Sequence, residues 1–258
     1  MRPALHAEWT KIWTVASPRW LLFGTIAATV ALSAGVTSLL TSGTVGRAGD
    51  TTKLSLCGVE LGQALIAILA VLLISSEYSS GMIGTTLVAT PRRTTVLAAK
   101  VITLSGVVAV AGTFAVVGSL LAGRLILPGH GFTAARGYPG LSLADGPTLR
   151  ATIGSVLYLI LIALLSLGIA TALRDSATSI GMILGLLYLF PALAQVLGNP
   201  HWQRLLQQIG PMNAGLAIQA TTDLRSLPIS PWAGLGVLAA WAAAALLAGG
   251  LVLRLRDA

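Results

Sequence analysis

Residues Trp20 to Leu40 run without a single charged side chain, and that feature limits the fold more than any other. An α-helix rises about 1.5 Å per residue, so about 20 apolar residues cross the ~30 Å hydrocarbon layer with every backbone group bonded internally. Comparable blocks recur at about 58–74, 96–121, 151–173, 179–197 and 232–253. Only 9% of the residues are charged and 55% are hydrophobic, whereas soluble domains carry roughly 25% charged residues. Length here counts helices rather than globular domains. The expected fold is an all-α integral membrane domain over residues 1–258, with six transmembrane helices.

The segments between the blocks are read from their breakers and caps. Residues 3–18, with Leu5, Trp9, Ile12 and Trp13 at helical spacing, predict an N-terminal interfacial helix ending at Pro18. Thr90 can cap the third span with Pro91 in its first turn. That span is long enough for Lys100 to snorkel toward water. Pro128, Gly129, Gly131, Pro139, Gly140 and Pro147 mark Arg124 to Arg150 as a loop. Spans four and five are separated only by Arg174, Asp175 and small polar residues, which demands a tight hairpin, with Asp175 or Ser176 capping the fifth. His201 to Ile209 predicts a short interfacial or re-entrant helix stopped by Gly210 and Pro211. Gly154, Gly168, Gly181 and Gly185 suit close helix packing in lipid, and Trp20 and Trp232 suit interfacial anchoring.

The net charge of +8 comes from basic residues scattered singly between apolar blocks, which argues for topology signals and against a nucleic-acid surface. Six spans place both termini on one side. With the termini inside, the short inner segments hold Arg2, Lys11, Arg19, Arg92, Arg93, Lys100, Arg174, Arg254 and Arg256, the denser basic set. The expectation is a multi-pass protein of the cell membrane with cytoplasmic termini.

What is missing from the sequence narrows the chemistry. The three lysines follow Thr10, Thr52 and Ala99, so there is no Gly-Lys-Ser/Thr phosphate loop. The histidines His6, His130 and His201 are far apart, and neither HExxH nor GxSxG occurs. One cysteine, Cys57, offers no disulfide framework or metal spacing. No catalytic, metal or cofactor set can be assembled, so an enzyme is not expected. Glu60 and Glu77 sit near opposite ends of the second span, where both can reach water, and the midplane positions are Ala, Leu, Val, Ile, Gly and Ser. An apolar passage fits that composition better than an ion-coupled one.

The most informative stretch lies between the second and third spans: Glu77-Tyr78-Ser79-Ser80-Gly81-Met82-Ile83-Gly84-Thr85-Thr86-Leu87-Val88-Ala89-Thr90-Pro91-Arg92-Arg93. A carboxylate at a helix end, a glycine hinge, a short amphipathic segment and a proline-initiated basic helix form a compact elbow. This stretch resembles the ABC-2 type transporter permeases, whose loop between spans two and three commonly reads Glu-x-x-x-Gly, a few residues, Thr/Leu, then Pro and basic residues. In outline the resemblance covers the whole chain; only the elbow is specific.

The resemblance implies that Gly81, Met82, Ile83, Thr85, Thr86 and Leu87 belong to a cytoplasmic coupling helix seated on a separate nucleotide-binding subunit. Glu77 and Arg92 or Arg93 would orient it, and Pro91 belongs to the same coupling set. It further implies ATP and Mg in that partner, none in this chain, a second permease copy or related permease, and export of hydrophobic or amphipathic cargo. This chain has no charge between Gly81 and Pro91, where many relatives carry a basic residue. An ion-coupled secondary transporter and a non-transporting membrane anchor for a cytosolic partner are the alternatives.

Overall fold

The computed structural model describes residues 10, 16–45, 49–79, 93–133, 135, 138 and 140–255. The chain is all-helical over these residues, and the long helices are α1 (Ala16–Leu39), α4 (Val59–Ser79), α5 (Arg93–Ile126), α6 (Gly146–Leu173), α7 (Ser176–Val196) and α10 (Pro231–Leu255). Short helices α2 (Ser42–Val45), α3 (Thr51–Ser55), α8 (Pro200–Ile209) and α9 (Pro211–Leu216) fill the connections. Five of the long helices, α1, α5, α6, α7 and α10, are long and apolar enough to cross a membrane, the make-up of a multi-pass membrane protein. The apolar run of α4, Val59–Ser75, is shorter.

Successive long helices reverse direction. One end of the bundle, the clasp end, gathers residues 40–58, 127–145 and 197–230. The opposite elbow end carries the start of α1, the end of α4, the start of α5, the α6–α7 turn and the end of α10. The central helix is α6, which packs most extensively on α10 and also on α4, α5 and α7. It has no charge from Ala151 to Leu173, and a helix apolar all round belongs inside.

At the periphery, hydrophobicity no longer says which face points inward, because lipid is as apolar as leucine; small and hydroxyl side chains mark the protein side instead. On α1, Thr25, Thr29, Ser33 and Thr37 are buried at four-residue spacing, while Trp20 (74% exposed) and Phe23 face outward. Thr25, Thr29 and Thr37 return their hydroxyls to carbonyls four residues earlier at 2.7 Å, leaving little polarity to solvate. Gly58 closes this seam. Its amide donates to Ser33 Oγ at 3.0 Å, and a Cβ there would lie 2.0 Å from the Thr29 carbonyl oxygen.

Several expectations need correction. The loop read from Arg124 to Arg150 is shorter than expected: α5 runs to Ile126, a 3-10 turn covers Leu127–His130, and α6 begins at Gly146. Pro147 breaks nothing, since it occupies the first turn of α6, where its missing amide hydrogen has no intrahelical partner to lose. Pro18 likewise falls in the first turn of α1 rather than ending a helix; the rest of the interfacial segment lies outside the described residues, Thr10 excepted. Lys100 does not snorkel. It is 1% exposed, among the largest fully buried side chains. Gly154 and Gly168 do sit at tight contacts, but Gly181 and Gly185 face open space.

The hairpin between α6 and α7 has the predicted form. Arg174 takes the left-handed conformation at φ 61°, and Asp175 caps α7 by accepting the Thr178 amide at 2.7 Å.

Candidate functional site

The elbow residues divide into two sets. Glu77 stands in the last turn of α4 and Arg93 is the first residue of α5; Gly81, Met82, Ile83, Thr85, Thr86, Leu87, Pro91 and Arg92 lie outside the described residues. The two helix ends that the elbow must join are at the same end of the bundle as the α6–α7 turn.

A polar chain that the sequence reading did not anticipate crosses the interior. The Tyr158 hydroxyl donates to Gln63 Oε1, Gln63 Nε2 donates to the Tyr188 hydroxyl at 3.4 Å, and the Tyr188 hydroxyl donates to the Glu60 carbonyl at 2.6 Å. Tyr158 and Gln63 are fully buried. The chain links α6, α4 and α7, so three helices share one satisfied network in a medium that leaves an unpaired polar group costly. Its sequence signal was slight: Gln63 is a lone amide one turn into an apolar helix, and Tyr158 is an ordinary aromatic residue until its hydroxyl is seen to have a partner.

The clasp end is closed by a plug. In α9, Pro211, Met212, Ala214, Gly215 and Leu216 are buried, and Ile218, Gln219 and Ala220 continue the burial between α6 and α10. Glycines make the seat: a Cβ on Gly234 would meet the Ala214 carbonyl oxygen at 1.9 Å, one on Gly154 would meet Ile218 at 2.0 Å, and one on Gly215 would strike the Tyr158 ring at 2.6 Å. Gln219 Nε2 donates to the buried Ser155 hydroxyl at 3.1 Å. Beyond the plug, the Asp50 carboxylate accepts from the Thr221 hydroxyl at 2.7 Å, the Thr221 and Thr222 amides at 2.5 and 3.2 Å, and the Lys53 amide at 3.1 Å. One side chain therefore caps α3 and holds the end of the plug.

Toward the elbow end a groove of about 390 Å³ opens between α7 and α10, floored by α6. Trp241 stands at its upper end, edge-on to Phe190 at 6.5 Å, with its indole donating to the Ile209 carbonyl at 3.0 Å. Below that contact the walls are Met182 and Leu186 on one side and Ala244, Ala245 and Ala248 on the other. Such a surface can take up hydrocarbon and offers no hydrogen-bonding or catalytic group. No protein-family model matches the chain, and no curated protein matches it.

Proposed function

We propose that the chain is the membrane-spanning permease subunit of an ATP-driven exporter of the ABC-2 type, working with a separate nucleotide-binding subunit that supplies ATP and Mg. The observation that carries this reading is the Glu77 to Arg93 elbow, set between the end of α4 and the start of α5. In this reading α4, 21 residues long, is the sixth crossing, and Gly81 to Ala89 contact the nucleotide-binding subunit. The first and last long helices start and finish at the elbow end, which supports a cytoplasmic placement of both termini in the cell membrane. A second copy or a related permease completes the path. The apolar groove favours hydrophobic or amphipathic cargo.

The test is a mild-detergent pull-down of the tagged full chain, with identification of stoichiometric partners and an ATPase assay. A co-purifying ATPase whose activity no longer responds to the permease after deletion of Gly81 to Thr86 is the expected result. A homogeneous chain without ATPase, or transport preserved after the deletion, would overturn the reading.

One observation favours the ion-coupled alternative: Lys100 is buried within a long apolar helix, where ionisable groups often serve transport. Flux driven by an ion gradient after ATP depletion, and abolished by Lys100→Met, would establish it.

A further inference from the structure

We propose that α8 is embedded in the leaflet at the clasp end, entering it obliquely with its apolar face against the lipid acyl chains. The sequence leaves both an interfacial and a re-entrant course open for this segment. The inference rests on the multi-pass membrane fold and does not depend on the transport reading.

The depth follows from what α8 touches. α7 has 21 residues, about 31 Å at ~1.5 Å per residue, which matches the ~30 Å hydrocarbon layer, so its end at Val196 marks the clasp-end boundary. Residues 197–199 lead directly into α8, which packs chiefly on α7. The far end of α8 abuts Phe190: a Cβ on Gly210 would lie 2.9 Å from the Phe190 Cβ. Phe190 precedes Val196 by six residues, so Ile209 and Gly210 lie roughly 9 Å inside that boundary. α10 agrees. The Trp241 indole, in the middle of that helix, donates to the Ile209 carbonyl at 3.0 Å. A protein donor thus satisfies a terminal helix carbonyl that water would satisfy outside the membrane. α9 then returns toward the clasp end, where the Ala214 carbonyl meets Gly234 in the first turn of α10.

The orientation of α8 fits that depth. Trp202, Leu205, Leu206 and Ile209 recur on one helical face, which in a soluble protein turns toward the core. Here no residue of α8 is buried, and Trp202 and Ile209 are 52% and 42% exposed. The glutamines are instead tied to the protein: Gln203 Nε2 donates to the Leu197 carbonyl at 2.5 Å and Gln208 Nε2 to the Pro228 carbonyl at 2.8 Å. Continuity with the lipid-facing surface says what covers the outward face, because α7, on which α8 packs, is itself exposed at Leu189, Leu193 and Val196. His201 and Arg204 stand in the first half of α8, and no charge follows from Leu205 to Thr222, as suits a segment that starts among headgroups and passes below them. Trp202 and the exposed Trp232 at the start of α10 are the aromatic residues of that headgroup level.

The experiment uses the full chain in nanodiscs, in a Cys57→Ser background with one nitroxide-labelled cysteine at a time. Relaxation of the label by oxygen, which partitions into lipid, is compared with relaxation by a water-soluble nickel chelate. Ile209→Cys should read roughly 5–10 Å below the phosphates, and Trp202→Cys should read nearer to them. Arg204→Cys should be open to nickel, as should Arg225→Cys in the exposed loop before α10, with Val110→Cys on the outer face of α5 as the lipid reference. Leu205→Cys keeps both Trp202 and Ile209 and should still favour oxygen. Nickel access at 202, 205 and 209 equal to that at 225 would put α8 in water and overturn the proposal; equal depth at 202 and 209 would overturn the oblique entry. Exclusion of oxygen at 209 together with dipolar broadening that vanishes on dilution with unlabelled chain would also overturn it, because a second copy would then cover the face.

Discussion

At the clasp end, three connections that are distant in sequence share hydrogen bonds: Asp50 holds Thr221 and Thr222, Tyr138 donates to the Ser42 carbonyl at 3.3 Å, and the plug is buried between α6 and α10. At the elbow end, α7 and α10 stand on either side of an open apolar groove, with Arg174 to Val252 a described tie between α6 and α10. Irregular backbone at membrane depth is tolerated only where protein covers it, so the plug is densely packed and widely hydrogen-bonded. The elbow end has helix termini and a short turn to accommodate, and can leave its helices apart.

The largest effect should come from the plug seat. Gly234→Val places methyl groups against the Ala214 carbonyl, where even a Cβ would lie at 1.9 Å, so either α9 or α10 must move. We expect a loss on the order of 3 kcal/mol, read as a lowered unfolding midpoint in detergent. The control is Gly185→Val, on a face with nothing within 4 Å, where the change should stay within about 0.5 kcal/mol. Equal effects at the two sites would break the contrast between a packed and an open end.

The second effect is electrostatic and local. Asp50→Ala removes the cap of α3 and the acceptor for Thr221 and Thr222 in one step. Loss of a cap together with half-buried donors left to find water costs roughly 1 kcal/mol. Amide exchange should accelerate at Thr221 and Thr222 and remain unchanged in α7. Uniform acceleration along the chain would mean that the clasp is part of global stability and not a local fastening.

The membrane-spanning blocks were legible because charge is the one thing that lipid excludes, and charge-free runs such as Trp20 to Leu40 show directly in sequence. Boundaries were less so, since Pro147 reads as a breaker when its position in the first turn is unknown. The inward faces of the helices were legible only where small or hydroxyl residues repeat, as with Thr25, Thr29, Ser33 and Thr37. That signal misleads at Gly181 and Gly185, whose spacing matches a packing motif but whose face is open. The plug was invisible as such: Gly210 and Pro211 signal a helix stop, but whether the following residues turn into the bundle depends on glycines at 154 and 234, far away in the chain. The elbow is the opposite case, a motif read from sequence alone, with its central residues outside the described structure.

The smallest effect concerns the elbow end and separates charge from capping. The Thr178 hydroxyl, followed by the Thr178 amide, holds the Asp175 carboxyl below its usual range. A carboxyl whose folded value is depressed stabilises the folded hairpin at pH above its unfolded value, and that contribution is lost as pH falls through the folded value. Asp175→Asn keeps an acceptor at the cap of α7 but cannot titrate. Amide protection at Ala177 and Thr178 should therefore decline on acidification in the parent chain and stay flat in Asp175→Asn, with Thr221 and Thr222 as an internal reference at the clasp end. If the parent profile were flat as well, the cap would act through geometry alone, and the α6–α7 turn would be held by the packing of its helices rather than by its charge.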